Sequence, residues 1–492
     1  MHAYISALVA LSIAVSLGSR LSTARALSEL KADGPKPYIS KHETHAAATV
    51  VALGVALALV MILIGLAGLA QPARAAPNKA RTAESFIQSI GVDTHIKNLS
   101  SPYGDYQRVK RYLNELGVMH ARDAAVLPKN TTTYSRYADL CASLGIRYIL
   151  NVTDELWSRP PTASEIDQIV SKSGCAVEAF EGPNEFNLER TGDWGAQLET
   201  FQRETFNAIN ASSHPEIPLL ASPLGKTTDG YPPLSEIPNL ADESDANSMH
   251  SYPQGNHPTG AHPRYPRHYS FLFDRDIPMS EYVGAPGRDI YATETGYHTS
   301  TSVQGISEQA YGLYAPRLSF EYFNAGVERG YHYQLLDHLN EGPSHPQSHF
   351  GLIAYDGRKK SAYRALENTI DILEDPGGSV GFTPGSLEYT LSGGDENVHT
   401  TLLQKRDGMF YLALWQEVRS FDRVRDTMID VPAQKVKLEF AQRHDIAVFD
   451  PTYIASSGQT DDAENHPKRI ANRTLWETIR VKDRVKIVRI SD

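Results

Sequence analysis

Between residues 84 and 374, short apolar runs alternate with longer segments in which apolar residues recur at helical spacing. The short runs are typical of buried strands, and the longer segments are typical of helices with one face in a core. The predicted strands are residues 86–92, 118–121, 146–152, 176–180, 218–222, 246–252, 289–293 and 330–336. The predicted helices are residues 105–116, 134–144, 162–173, 189–210, 307–326 and 360–373. Strands and helices in this alternation predict an α/β fold, a (β/α)8 TIM barrel.

The pattern changes after Asp375-Pro376-Gly377-Gly378, whose composition is typical of a linker. Short segments of alternating polar and apolar residues follow. Residues 400–405 and 409–415 flank Arg406-Asp407-Gly408, which predicts a hairpin turn. We therefore predict a barrel domain over residues 81–374 and an accessory all-β domain, a β-sandwich, over residues 375–492.

Residues 1–80 are predicted to lie outside the fold, as a leader and linker. Residues 46–70 form a continuous apolar run that is long enough to span a bilayer. The stretch Ala73-Arg74-Ala75 follows and matches the pattern of a signal-peptidase site. Cleavage near Ala75 and an uncleaved signal-anchor both stay open. Either one predicts an extracytoplasmic protein, secreted or anchored by residues 46–70, that meets the membrane only through this segment.

The chain of 492 residues has a formal net charge of -11, so a nucleic-acid partner, which requires a basic face, is not expected. Its two cysteines, Cys141 and Cys175, lack metal-binding spacing. They predict either a disulfide or two buried thiols. The histidines between His250 and His268 are irregularly spaced and form no His-Glu-x-x-His pattern. We therefore expect neither a metal nor another cofactor.

Polar residues gather where the predicted strands end. They are Asp93, His95, Arg122, Asn184, Glu185, His250, Tyr252, Glu294, Tyr297 and Asp337. In a (β/α)8 barrel, the loops at the carboxyl ends of the strands build the active site. Strands four and seven lie across the barrel from each other, so we expect Glu185 and Glu294 to face one another.

Two carboxyl groups on opposite sides of a glycosidic bond supply what its hydrolysis needs. One gives a proton to the leaving oxygen, and the other attacks or stabilises the oxocarbenium-like carbon. Glu185 and Glu294 therefore predict an enzyme, a retaining glycoside hydrolase that cleaves O-glycosidic bonds of a polysaccharide or glycan. Two alternatives stay open: a non-catalytic carbohydrate-binding barrel and, less favoured, a metal-dependent hydrolase that uses the histidine-rich loop.

The placement of these residues resembles the signature of clan A glycoside hydrolases, the 4/7 superfamily. Asn184-Glu185 follows strand four, Glu294 follows strand seven, and His250-Ser251-Tyr252 matches the His-x-Tyr position after strand six. Strand eight reads Gln334-Leu335-Leu336-Asp337 and lacks the tryptophan of many members. A relative of family 39 is therefore closer than a cellulase, and residues 405–415 resemble the accessory β-domain that is often attached.

The resemblance implies a role for each residue that matches the signature. Glu185 would be the acid/base and Glu294 the nucleophile. Asn184 would bind the sugar 2-hydroxyl, Arg122 and Tyr252 would orient Glu294, and His250 would line the site. The remaining expected substrate contacts are Asp93, His95, Tyr297 and Asp337.

Overall fold

A computed structural model describes residues 77–152, 159–189, 192–226, 230–260, 270–377, 381–452 and 469–492. The apolar run of residues 46–70 and the Ala73-Arg74-Ala75 stretch lie outside these ranges. Within them, no helix combines the length and the apolar character that a membrane span requires.

Eight parallel strands form a closed barrel. They are β1 (Ile90–Asp93), β2 (His120–Ala124), β3 (Arg147–Asn151), β4 (Val177–Glu181), β5 (Leu219–Leu220), β6 (Asn247–Ser251), β7 (Ile290–Thr295) and β8 (Arg329–His332). Each strand pairs with its sequence neighbour, β8 pairs with β1, and a bridge between Leu220 and Ala246 joins β5 to β6. The prediction of a (β/α)8 barrel is confirmed.

Helices surround this barrel. They are α1 (Ala83–Gln88), α2 (Tyr106–Leu116), α3 (Thr131–Leu144), α4 (Ala163–Ser173), α5 (Phe186–Glu189), α6 (Trp194–Asn210), α7 (Ile277–Val283), α8 (Glu308–Asn324) and α9 (Ser361–Leu373). Helix α2 shows how the local sequence sets its ends. The Asp105 side chain accepts from the Arg108 N–H at the start, and Gly117 ends the helix at φ 77°, a conformation that glycine adopts without steric cost.

The first predicted strand, residues 86–92, is wrong in its first half. Residues 83–88 form helix α1, and the strand begins only at Ile90. Thr82 caps the helix by accepting from the Ser85 N–H. Phe86 stacks on Phe320 of α8 with ring centroids 4.0 Å apart. An apolar pattern this short fits the periodicity of a strand as well as that of a helix. Packing of Phe86 against α8 favours the helix.

The barrel interior is filled by side chains from opposite strands, among them Ile149, Ala179, Leu220 and Tyr331. Gly91 provides the space for Tyr331, because a Cβ at residue 91 would lie 2.5 Å from the tyrosine ring. Outside the strands, Cys141 of α3 forms a disulfide with Cys175, just before β4. This settles the alternative that the sequence left open.

The C-terminal domain is a β-sandwich, as predicted. Its strands are β9 (Ser386–Leu387), β10 (Tyr389–Ser392), β11 (Val398–Gln404), β12 (Phe410–Gln416), β13 (Phe421–Asp422), β14 (Thr427–Met428), β15 (Gln434–Phe449), β16 (Arg469–Val481) and β17 (Lys486–Ser491). Two short N-terminal strands, Asn78–Lys79 and Arg81–Thr82, pair with β9 and β11. The prediction that the chain up to residue 80 lies outside the fold is therefore wrong for residues 78–80, and Ala80 is buried in the core of this domain. The long pair β15–β16 shifts register between Glu439 and Ile446. Strand β10 pairs with β15 before this shift, and β17 pairs with β15 after it. Leucine, valine and isoleucine side chains from both parts form the core.

Candidate active site

Glu185 lies in the loop after β4, and tight packing fixes its backbone. Its φ is 43°, and its N–H donates to the Pro223 carbonyl at 3.2 Å. Gly182 is the first residue of this loop, and a Cβ at residue 182 would lie 1.9 Å from the Gln202 side-chain oxygen. A non-glycine residue rarely holds a positive φ unless its surroundings enforce it. The loops after β4 and β5 therefore position the Glu185 side chain.

Glu294 lies within β7, and each of its carboxylate oxygens accepts one hydrogen bond. Arg122 Nη1 of β2 donates to Oε1 at 2.8 Å. The Tyr252 hydroxyl, just past β6, donates to Oε2 at 2.8 Å. Two donors, one of them a guanidinium, therefore fix the position of this carboxylate.

Arg122 is the centre of a buried cluster of charges. Its Nε donates to Glu181 at 2.7 Å, Nη1 to Asp93 at 3.2 Å, and Nη2 to the Asn184 side-chain oxygen at 2.7 Å. Burial lowers the pKa of Arg122, but the negative charges of Glu181, Glu294 and Asp93 raise it by a larger amount. The net pKa is well above its ordinary value, so the guanidinium stays charged. Because Asn184 accepts through its oxygen, its amide N–H groups are available to a substrate hydroxyl.

Asp93 differs from the other carboxyl groups around Arg122. Burial raises the pKa of Asp93 well above its ordinary value, and the attraction of Arg122 does not offset this. One cation is shared by several buried carboxyl groups here, which is why its attraction leaves the pKa of Asp93 raised. Its Oδ2 has no hydrogen-bond partner among the described residues. A protonated carboxyl in this place can donate to a ligand.

His250 connects the two glutamates. Its Nδ1 lies 2.8 Å from Glu185 Oε1 and 3.5 Å from Glu294 Oε2. Its Nε2 lies 3.4 Å from Arg122 Nη2. Arginine only donates, so Nε2 accepts and Nδ1 carries the proton that it donates to Glu185. One donor atom each from Glu185, His250 and Glu294 lie within 4.8 Å of one another.

Lys226, after β5, adds a second cation near Glu185. It is buried, and its ammonium group contacts the His250 carbonyl and Asp276. Burial raises the pKa of Glu185, but the hydrogen bond from His250 and the charges of Lys226 and Arg122 outweigh it. The pKa of Glu185 is therefore below its ordinary value.

The two glutamates open into a pocket of about 700 Å³. Aromatic residues form part of its wall: the Phe350 ring lies 5.7 Å from Tyr252 and 5.3 Å from Tyr333. Tyr333 follows β8 directly. The tryptophan of many clan A members is absent there, but Tyr333 still places an aromatic ring at the end of strand eight. Flat aromatic surfaces of this kind suit the apolar faces of sugar rings.

The structure brings most of the sequence-predicted site residues into one cluster: Asp93, Arg122, Asn184, Glu185, His250, Tyr252 and Glu294. His95 lies beside it, with its ring 4.6 Å from His338 and 5.7 Å from Tyr333. Tyr297 lines the pocket while its buried ring packs on Tyr311 and Tyr314. Asp337 is held elsewhere, by Lys360 at 2.8 Å and the Gly351 N–H at 2.6 Å.

Three residues of the site escaped the sequence analysis: Glu181, Lys226 and Tyr333. The position of Glu181 follows from strand periodicity. Side chains along β4 point alternately inward and outward, and Glu181, two residues after Ala179, shares its inward face. Lys226 lies in a loop, and its partner Asp276 is 50 residues away in the chain. No local pattern reports that contact.

The donor set Glu185, His250 and Glu294 has the size of a metal site. Arg122, Tyr252 and His250 already satisfy these carboxylates with hydrogen bonds. Of the histidine-rich loop, His257 pairs with Glu417 at 2.9 Å. Residues 261–269, which contain its last histidines, lie outside the described residues.

No protein-family model matches this chain, and no curated protein sequence does. Solved structures of glycoside hydrolases do share its fold. A family 39 enzyme from Bacteroides cellulosilyticus WH2 is 12% identical over 84% of this chain and 82% of that chain, with a TM-score of 0.55. A family 39 enzyme from Xanthomonas axonopodis pv. citri is 15% identical over 86% and 99%, with a TM-score of 0.54. A monomeric β-xylosidase from Caulobacter crescentus CB15 is 16% identical over 85% and 98%, with a TM-score of 0.53. The fold expected from the resemblance to family 39 is confirmed.

Proposed function

We propose that this protein is a retaining glycoside hydrolase that cleaves O-glycosidic bonds of a carbohydrate. The observation that carries the proposal is the pair Glu185 and Glu294, since an oxygen of one carboxylate lies within 4.8 Å of an oxygen of the other. Carboxyl groups of retaining enzymes are about 5–5.5 Å apart, whereas inverting enzymes leave about 6.5–9.5 Å to fit a water molecule. Carboxylates with oxygens this close can act on the same anomeric carbon, as double displacement requires.

In the first step, Glu294 attacks the anomeric carbon while Glu185 gives its proton to the leaving oxygen. A glycosyl ester forms on Glu294 as the glycosidic bond breaks. Arg122 and Tyr252 hold the attacking carboxylate in place. In the second step, Glu185 takes a proton from water, and the resulting hydroxide equivalent displaces Glu294 from the sugar. The anomeric configuration is retained because it is inverted twice.

The surroundings of Glu185 suit both of its roles. Without substrate, the His250 hydrogen bond keeps the pKa of Glu185 low. A sugar that fills the pocket excludes water, which disfavours the charged form and promotes the acid that the first step needs. Once Glu294 becomes a neutral ester, its charge no longer repels the charge of Glu185. The base form needed in the second step is then favoured.

β-D-Xylosides are the first substrates to test, because the Caulobacter crescentus protein of the same fold is a β-xylosidase. Purified protein would be assayed with 4-nitrophenyl β-D-xyloside and a panel of other aryl glycosides. We expect Glu294→Ala to lose at least about 10⁴-fold in kcat. Glu185→Ala should lose less on nitrophenyl substrates, because nitrophenolate leaves without a proton. General acid catalysis contributes about 10²–10⁴-fold for leaving groups that do need one.

Added azide separates the two roles. With Glu185→Ala, azide should replace water in the second step and give a glycosyl azide of retained configuration. Glu199→Gln serves as the control, because the Glu199 side chain is 42% exposed and pairs with Arg203 of the same helix, away from the pocket. Equal turnover by both glutamate variants and wild type would disprove the assignment. Sugar binding by the wild-type protein without turnover of any substrate would favour the carbohydrate-binding barrel.

We also propose that the protein acts outside the cytoplasm, secreted or anchored by residues 46–70. The apolar run and the Ala73-Arg74-Ala75 pattern support this location. The Cys141–Cys175 disulfide is a second support, because disulfides persist mainly in oxidising compartments. N-terminal sequencing of the protein recovered from its host tests the proposal. A start near residue 76 indicates cleavage, and an intact chain in the cytoplasmic fraction contradicts export.

A further inference from the structure

A segment of the C-terminal domain reaches the barrel loop that forms one wall of the pocket. The segment, residues 417–429, is called the arm here; it leaves β12 and contains the short hairpin β13–β14. The barrel loop, residues 252–260, is called the β6 loop. It begins at Tyr252, and its residues Gln254 and Gly255 line the pocket.

Glu417, the first residue of the arm, contacts both helix α8 of the barrel and the β6 loop. Its side chain is 1% exposed. One carboxylate oxygen accepts from Arg317 of α8 at 2.9 and 2.8 Å. The other accepts from the Thr259 N–H at 3.0 Å and lies 2.9 Å from His257 Nδ1. Burial raises the pKa of Glu417, but Arg317 and His257 together lower it to about 2. Glu417 is therefore a permanent anion that holds the far end of the β6 loop.

Arg423 holds the near end of the same loop. Its Nη1 donates to the Gln254 carbonyl at 2.7 Å. Gln254 has a φ of 53°, which a non-glycine residue keeps only where its surroundings enforce it. At Gly255, a Cβ would lie 2.7 Å from Arg423 Cδ and 2.6 Å from the Gln304 carbonyl. Gly255 of the pocket wall is therefore packed closely between Arg423 and the loop after β7.

We propose that the arm positions the pocket wall, with Arg423 and Glu417 as positioning residues for substrate binding. Both residues hold the β6 loop, whose residues Gln254 and Gly255 line the pocket. The part of this inference that concerns substrate affinity rests on the proposed glycosidase function. Loosening the wall removes contacts made equally to substrate and transition state, which raises KM and leaves kcat unchanged.

The test compares Arg423→Met with Arg425→Met. Arg425 lies in the same arm, is 79% exposed and pairs with Asp422 of the arm itself. Amide hydrogen exchange of residues 252–260 is the first measurement. We expect exchange at least about 10-fold faster in Arg423→Met and unchanged in Arg425→Met, since a carbonyl loses a charged donor in only the first variant. Arg423→Lys, which keeps the charge, should lie between Arg423→Met and wild type.

Kinetics with 4-nitrophenyl β-D-xyloside are the second measurement. Arg423→Met should raise KM roughly 10-fold with kcat within about twofold of wild type. Should Arg423→Met fail to fold, His257→Ala removes an anchor from the barrel side, leaves the Arg317–Glu417 pair intact, and should give the same two changes. Exchange and KM equal to those of Arg425→Met would overturn the inference. If no aryl glycoside is hydrolysed, the proposed function fails, while hydrogen exchange still decides whether the arm holds the loop.

Discussion

Removing the Arg122 guanidinium is the perturbation that tests the site most directly. Arg122→Met keeps the length and apolar bulk of the side chain but leaves Asp93, Glu181 and Glu294 without their cation. The Arg122 side chain is only 6% exposed, so solvent screening cannot replace the lost interaction. Breaking a buried ion pair by removing one partner costs about 3–5 kcal/mol. With an unfolding entropy of about 2.1 cal/mol/K per residue, this corresponds to a fall in Tm of about 3–6 °C.

The loss of stability in Arg122→Met should depend on pH. Carboxyl groups buried without a cation bind protons instead of staying charged. Protonation is easy near pH 4–5 and costs more at pH 7–8, so the variant binds more protons folded than unfolded. Its stability relative to wild type should therefore fall as pH rises. Activity should also fall, by at least about 100-fold, because a protonated Glu294 cannot attack.

The assay is thermal unfolding of wild type, Arg122→Met and Arg111→Met between pH 4.5 and pH 8. Arg111 is the matched control, since it is 59% exposed and pairs with Glu115 at 3.7 Å on the surface of α2. Exposed pairs contribute only about 0–1 kcal/mol. If Arg122→Met is no less stable than Arg111→Met at pH 8, or if its defect does not change with pH, the buried-charge argument is refuted.

Three further changes have outcomes that follow from single contacts. His250→Ala removes the hydrogen bond that lowers the pKa of Glu185, so the alkaline limb of the kcat/KM profile should move to higher pH; an unmoved limb would contradict Glu185 as the acid. Replacing Cys141 and Cys175 by serine opens a link across 34 residues and should cost about 2–4 kcal/mol of unfolding free energy in urea titrations. Gly182→Ala places a methyl group 1.9 Å from the Gln202 oxygen and should cost about 1–3 kcal/mol, whereas Gly385→Ala, with its nearest atom at 3.5 Å, should cost less than about 1 kcal/mol.

The barrel could be predicted from the sequence because most of its strands have a strong local signal. Residues 289–293, for example, form an apolar β-rich run with Glu294 directly after them, and β7 covers Ile290–Thr295. The start of the first strand was predicted wrongly because residues 86–88 fit the periodicity of a helix as well as that of a strand. Only the contact of Phe86 with α8 decides between the two structures. Local pattern therefore sets the order of the elements, and long-range packing sets their boundaries.

Residues that act through distant partners were out of reach of the same reasoning. Lys226 becomes a site residue only because the barrel brings it to Asp276 and the His250 carbonyl. Glu417 lies 160 residues from His257 in the chain, and nothing in the sequence of either segment indicates the other. Such contacts depend on how the loops of two domains meet, which single-sequence periodicity does not encode.

The environments of the two glutamates differ in a way that supports their separate roles. Glu294 accepts one hydrogen bond on each carboxylate oxygen, from a guanidinium and from a phenol. Glu185 accepts from the His250 imidazole, and Lys226, a cation near it, is paired with Asp276. A directly bonded guanidinium fixes the Glu294 carboxylate in place, which suits a nucleophile, whereas the direct partner of Glu185 is an imidazole. Glu185 is therefore the residue that can carry a proton back and forth, and Glu294 is the residue that can attack.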